Sequence, residues 1–316
     1  MWTRKTSNFP FRQENRSLSD ETGSGFYALA PEWASCYNSE KRTKEGIFMR
    51  VILITGVSSG FGRAMAKEFS ARGDAVYGVS RRVPGEDVMA CLAGHIQGDL
   101  CQPDTAERAV AQVLEKAGRI DVLINNAGSG IGGALEETTD EELSGLFQIN
   151  FFAMTRLCRA VLPVMRKQKS GRIVNFSSLG GLAGLPYQGA YSATKFAVEG
   201  YTEALYSEVR PFGIHVSMLE PGDFATGFTG SRVMALSEDS PYTPYHKKAL
   251  KRIEADETGG SKPEVLVKTV AKILEKRKPK LRYGAGNPFE CVLVKGRHLM
   301  GDQLFLFLLG KYYGTR

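Results

Sequence analysis

From residue 51 onward, short apolar runs rich in β-branched side chains alternate with longer segments whose apolar residues recur every three or four positions. The runs 51–55, 75–80, 95–98, 121–125, 172–177 and 214–219, with a weaker one at 281–284, read as strands. The spacing between them predicts helices over about 61–72, 103–117, 140–167, 190–210 and 263–276. Runs such as Val122-Leu123-Ile124 and Ile173-Val174 have no polar face, as strands do when helices cover both sides of a parallel sheet. The expected architecture is a doubly wound α/β domain with a mainly parallel sheet.

Three stretches break the alternation. Residues 1–48 are polar, interrupted by Pro10, Gly23, Gly25, Pro31 and Gly46, and carry no sustained period, so they read as a flexible N-terminal extension. The abrupt change at Met49 makes that methionine a second candidate for the start of translation, which the mass of the mature protein would decide. Residues 226–262 begin at a strand end, where open sheets place their ligands, and are the expected substrate-covering segment within a dinucleotide-binding and catalytic domain over 49–285. Residues 286–316 form a C-terminal extension. Its apolar run Leu304 to Leu309 is too short to span a bilayer, leaving the core, a partner subunit or a membrane surface as what it docks on.

Composition narrows the classes. The net charge of +7 is local, since residues 51–226 hold 16 basic against 19 acidic side chains and residues 227–316 hold 17 against 9. The densest basic run, Lys276, Arg277, Lys278, Lys280 and Arg282, has no interleaved aromatics. It reads as a solvated face rather than a nucleic-acid site, with weak attraction to an anionic membrane surface left open. The five cysteines are odd in number and widely spaced, which fits no disulfide framework or metal knuckle and points to a reducing, cytoplasmic setting. No apolar run reaches transmembrane length and the first residues carry no compact apolar run of the kind a secretory signal needs, so the chain is expected to be soluble.

The first strand runs into Thr55-Gly56-Val57-Ser58-Ser59-Gly60-Phe61-Gly62 and then a helix. Glycine permits the tight turn at Gly56, close approach to a diphosphate at Gly60, and close helix–strand packing at Gly62. The N–H groups at the helix start favour the negative charge there. The second strand ends in Ser80-Arg81-Arg82, where an acid would have favoured NAD, so a 2'-phosphate and hence NADP(H) is expected. Asp99, followed by Leu100 at the end of the third strand, is placed to accept from the adenine amino group. Asn125-Asn126-Ala127-Gly128 ends the fourth strand beside the phosphate turn.

Tyr191 and Lys195 stand one helical turn apart on one face, where the ammonium is expected to favour the phenolate and make the phenol a competent proton carrier. Ser178, at the end of the preceding strand, can hold a substrate oxygen towards that phenol, with Ser177 as its neighbouring rival. Asn150 interrupts an apolar helical stretch. It reads either as a satisfied core amide or as an anchor for water and Lys195 in a proton path.

In this order the residues resemble the classical short-chain dehydrogenase/reductase family. The glycine turn, Asp99, Asn125 to Gly128, Asn150, Ser178, Tyr191 with Lys195, and Pro221-Gly222 leading to Thr226 carry the likeness over residues 51–226. The resemblance implies a single Rossmann-type domain with a seven-stranded sheet, and Asn150, Ser178, Tyr191 and Lys195 as a catalytic tetrad. It further implies Thr226 at the nicotinamide carboxamide, no metal, and a homodimer or homotetramer packed through the helices at 140–167 and 190–210. The segments Ser178 to Pro186, Lys195 to Gly200 and Glu220 to Gly222 are similar to steroid and retinoid dehydrogenases of the 17β-hydroxysteroid type, which implies a hydrophobic ketone, aldehyde or alcohol as substrate. The rival readings are a non-catalytic NADP(H)-sensing protein, which has no need of the whole proton relay, and a sugar-nucleotide-modifying enzyme of the extended family, which usually has a larger C-terminal region.

Overall fold

The first strand shows how the sequence builds the fold. In β1 (Val51–Thr55) every residue is buried, and alternate side chains enter two different cores. Val51 and Leu53 pack on one face of the sheet with the helices Thr105–Ala117, Ala153–Gln168 and Gly189–Val209, while Ile52 and Ile54 pack on the other with Gly60–Ala71 and Pro263–Glu275. The computed structural model describes residues 49–226, 232–237 and 239–315. The extension expected over 1–48, and 227–231 and 238 of the covering segment, lie outside the described residues.

The remaining strands are β2 (Ala75–Ser80), β3 (Gly94–Gln97), β4 (Val122–Asn125), β5 (Ile131–Gly133), β6 (Gly171–Phe176), β7 (Ile214–Pro221), β8 (Val233–Ala235) and β9 (Arg282–Ala285). Seven of them form one sheet in the order β3-β2-β1-β4-β6-β7-β9, with every neighbouring pair parallel. The direction of winding reverses between β1 and β4, and the carboxyl ends of these strands flank the crevice where such sheets bind ligands.

Two features depart from the sequence expectation. The helix expected over 140–167 is divided into Asp140–Phe147, a π-helical turn Gln148–Phe152, and Ala153–Gln168. A capping box between Thr139 and Glu142 fixes its start. The π turn holds Asn150 inward, where its side chain clamps the backbone of Ser129, and a π turn leaves no trace in apolar spacing. The stretches without a clear period also contain structure: the parallel ribbon of β5 and β8, and helices Thr243–Thr258, Pro288–Lys295, Arg297–Met300 and Asp302–Tyr312. Thr243–Thr258 buries only His246, Ala249 and Ile253, too thin an apolar stripe to stand out in sequence. The ribbon needs glycine at Gly133, whose φ is +158° and where a Cβ would collide with the Ala235 carbonyl.

A buried amide ladder ties the helix Gly189–Val209 to the sheet. Asn125 Nδ2 donates to Asn175 Oδ1 at 2.8 Å, Asn175 Nδ2 donates to Thr202 Oγ1 at 3.0 Å, and the Thr202 hydroxyl donates to Val198 O at 2.7 Å. Buried amides are costly unless paired, so each rung satisfies a group the sheet would otherwise leave orphaned. The ladder thereby fixes the helix that carries Tyr191 and Lys195.

Candidate active site

One cleft of about 1900 Å³ runs along the carboxyl edge of the sheet. At its glycine-rich end Gly56 adopts φ +76° and its N–H donates to Val79 O, while a Cβ at Gly62 would collide with the Gly56 carbonyl. Gly60 has φ +53° and open space where a Cβ would stand. Ser58, Ser59 and Phe61 line the cleft beside it. The helix Gly60–Ala71 starts here, so its first N–H groups lack intrahelical acceptors. Thr55 Oγ1 accepts from the N–H groups of Asn126 and Ala127 at 3.0 and 2.9 Å, and Asn126 Nδ2 donates to Thr55 O at 2.8 Å, stitching β1 to the turn after β4. Gly128 forms the adjoining wall.

The rim at the far end is Ser80, Arg81 and Arg82, with Asp99 and Leu100 opposite. Both arginines are exposed. The Ser80 hydroxyl is turned inward, donating to Arg82 O at 2.8 Å and lying 2.9 Å from His95 Nε2. Asp99 Oδ1 accepts from the Cys101 N–H at 2.9 Å, which fixes its direction. A Cβ-free turn, a helix start, and an acid and two guanidinium groups spaced along one cleft fit a dinucleotide.

At the other end Ser178, Tyr191 and Lys195 converge. The Ser178 hydroxyl bonds the Tyr191 phenol and accepts from the Gly180 N–H at 3.1 Å. Ser177 also borders the cleft, but its side chain is buried against Glu199. Lys195 Nζ donates to Phe176 O at 2.9 Å and stands 5.6 Å from the Tyr191 ring centre. Asn150 and Gly62 lie just behind the cleft surface. Asn150 Oδ1 accepts from Ser129 N at 2.8 Å, and its Nδ2 donates to Ser129 O and to Thr194 Oγ1, both at 3.0 Å. Its side chain thus positions the strand-end backbone next to Lys195. Pro221, Gly222 and Thr226 close the cleft at the end of β7.

The electrostatics differ from the simple expectation. Tyr191 is half-buried in the cleft wall, and burial pushes its phenol up to about 12. The Ser178 bond opposes that rise, while the charges of Glu257 and Asp223 add to it. Burial also pushes Lys195 down to about 8, against the pull of Glu199 one turn further along. In the chain alone, desolvation outweighs the attraction between ammonium and phenolate that the four-residue spacing suggests.

Several lining residues escaped the sequence reading. Asp223 follows Gly222 directly, and the last helices bring Phe289, Phe305, Leu308, Leu309 and Tyr313 to the wall. Behind β9, Arg282 bonds Glu199, Glu203 and the fully buried Glu220, and Lys295 pairs with Glu220 at 2.7 Å. Only the apolar run at 304–309 carried a signal for any of these.

The short chain dehydrogenase family model matches residues 50–236 of the sequence. The chain belongs to that family. It is 43% identical over 269 residues to a 3-ketodihydrosphingosine reductase of Bacteroides thetaiotaomicron, covering 84% of this chain and 99% of the relative. It is 32% identical to human retinol dehydrogenase 8, covering 74% and 80% respectively. The crystal structure of a short-chain dehydrogenase from Streptomyces avermitilis superposes with a TM-score of 0.72 at 38% identity, covering 83% of this chain and 97% of that one. A family member from Burkholderia phymatum in complex with NAD gives 0.69 at 26% identity, covering 79% and 93%.

Lys195 generates a pH test. Between about pH 8 and its ordinary 10.5 the folded chain holds fewer protons on this amine than the unfolded chain, so the native state gains stability as pH rises through that window. Wild type is expected to gain about 2–3 kcal/mol relative to Lys195→Met from pH 8 to 10.5 in urea denaturation. A difference that stays flat with pH would show Lys195 titrating as a solvated amine.

Proposed function

We propose that the chain is an NADP(H)-dependent oxidoreductase that interconverts a ketone or aldehyde and an alcohol on a hydrophobic substrate. The observation that carries this reading is the meeting of Ser178, Tyr191 and Lys195 at one end of a cleft whose other end is rimmed by Arg81 and Arg82. In the reductive direction a carbonyl, NADPH and a proton become an alcohol and NADP⁺, with the bound coenzyme supplying the hydride. Ser178 holds the carbonyl oxygen by a hydrogen bond, and Tyr191, whose phenol strongly prefers its protonated form, gives that oxygen its proton. Lys195, anchored on Phe176 O, lies close enough to compensate the phenolate left behind. Asn150 acts through the backbone at Ser129 as a positioning residue.

Coenzyme choice rests on charge, because a family relative with NAD bound has the same fold. Two exposed guanidinium groups and no carboxylate at the end of β2 favour a 2'-phosphate. The apolar wall from the last helices favours a substrate with a long hydrocarbon part, and the named activity of the Bacteroides relative, a keto-compound reductase, agrees with it. No helix among the described residues is long and apolar enough to cross a membrane, and the four described cysteines are free thiols, which suits a cytoplasmic enzyme. Exposed Phe152 and Phe196, beside and on the helices Ala153–Gln168 and Gly189–Val209, favour assembly as a homodimer or homotetramer through these helices.

Tyr191→Phe is expected to lower kcat about a hundred- to ten-thousandfold with coenzyme binding unchanged, and an undiminished rate would remove Tyr191 from the chemistry. Arg81→Ala is expected to weaken NADPH about ten- to a hundredfold in fluorescence titration while leaving NADH nearly unchanged; equal losses would defeat the phosphate assignment. Sedimentation equilibrium is expected to give two or four copies per particle, and a monomer at micromolar concentration would exclude the helix-packed assembly.

A further inference from the structure

The final helices present a run of apolar side chains to water. Phe305 and Gly310 are the buried residues of the helix Asp302–Tyr312, while Leu304, Leu306 and Leu308 on the same helix are each about half exposed. On the two helices before it Leu299 is 94% exposed, Phe289 72% and Val292 70%. Scattered surface leucines need no explanation, but six large apolar side chains open to solvent between Phe289 and Leu308 mark a surface that something covers.

The helix Thr243–Thr258 borders this segment and supplies charge. The Arg252 guanidinium carbon stands 4.2 Å from the centre of the Tyr312 ring, the Tyr312 hydroxyl donates to Asp256 Oδ2 at 2.7 Å, and a Cβ at Gly314 would touch the Lys248 side chain. Lys247, Lys248 and Lys251 on this helix are exposed and make no ion pair among the described residues. Of the acids on the same helix, Asp256 and Glu257 are paired with Arg252 and Arg232, which leaves exposed Glu254 against three lysines. Lys311, in the last turn of Asp302–Tyr312, is exposed as well.

Length and charge choose the partner. Asp302–Tyr312 has 11 residues, about 16 Å of helix, roughly half the hydrocarbon thickness of a bilayer, so it can lie in a lipid interface and cannot cross it. A second copy of the chain would bring the same lysines to the same contact, where like charges repel. An anionic lipid surface attracts them and offers the leucines an apolar layer beneath.

We propose that the last helices and the lysine-bearing side of Thr243–Thr258 form a docking surface for an anionic lipid bilayer. Leu299, Leu304 and Leu306 enter the boundary between headgroups and acyl chains, and Lys247, Lys248, Lys251 and Lys311 meet lipid phosphates. Phe289 and Leu308 are exposed and also line the cleft, so docking sets the mouth of the cleft against the lipid.

The full-length protein is sedimented with vesicles of phosphatidylcholine alone and of equal parts phosphatidylcholine and phosphatidylglycerol. Wild type is expected to pellet with the anionic vesicles, to be released as salt is raised, and to leave the neutral vesicles largely unbound. Leu304→Asp with Leu306→Asp is expected to abolish binding, and Lys247→Gln with Lys248→Gln to weaken it about ten- to thirtyfold. None of these four side chains is buried or lines the cleft, so both variants are expected to melt with wild type. Equal binding to the two kinds of vesicle, or to neither, overturns the proposal, as does unchanged binding by the leucine variant. So does a leucine variant that breaks the wild-type particle into smaller ones in sedimentation equilibrium, which would assign the surface to a second copy of the chain. If the leucine variant fails to fold, the lysine pair decides, and binding that it leaves unweakened overturns the proposal.

Discussion

The bond from Lys195 Nζ to Phe176 O joins the helix that carries the phenol to the strand end that carries Ser178. Its length of 2.9 Å places a buried amine at the seam between two elements, with Tyr191 on one of them and Ser178 just beyond the end of the other. A lone ammionium in such surroundings would be costly, and the amine is accordingly biased towards its neutral form. Glu199, one turn along the same helix, counteracts that bias, and Arg282 at the sheet edge joins Glu199 to Glu220. Charge balance at the reactive centre therefore extends through the sheet to its last strand.

The phenol and the amine are displaced in opposite directions by the same cause. Burial favours the neutral state of each, so the chain by itself holds an un-ionised phenol near an amine that gives up its proton more readily than usual. On the proposed reading, the phenol keeps its proton until a substrate oxygen develops enough negative charge to take it. The protonation states of the pair thus depend on desolvation, which a motif of two residues at fixed spacing does not convey.

Much of the fold was legible because it follows period and punctuation. All seven strands of the main sheet appear within one or two residues of their expected places, since strands buried on both faces read as continuous apolar runs. The glycine turn was equally plain, because Gly56 and Gly62 answer steric demands that no other residue meets. The π turn around Asn150 was invisible, as it alters hydrogen-bond register without altering apolar spacing. The ribbon of β5 and β8 was too short to show alternation. Asp223 escaped notice for a different reason: a carboxylate after a Pro-Gly turn looks solvated until the strand β9 and the last helices are folded around it.

The walls of the cleft come from separate parts of the chain. The glycine turn, Ser178, Tyr191 and Lys195 all precede Thr226, whereas Phe289, Phe305, Leu308 and Leu309 of the cleft lining arrive after Asn287. On the proposed reading, exchange of the final thirty or so residues between homologues would redraw which molecules are admitted without touching the residues assigned to the chemistry.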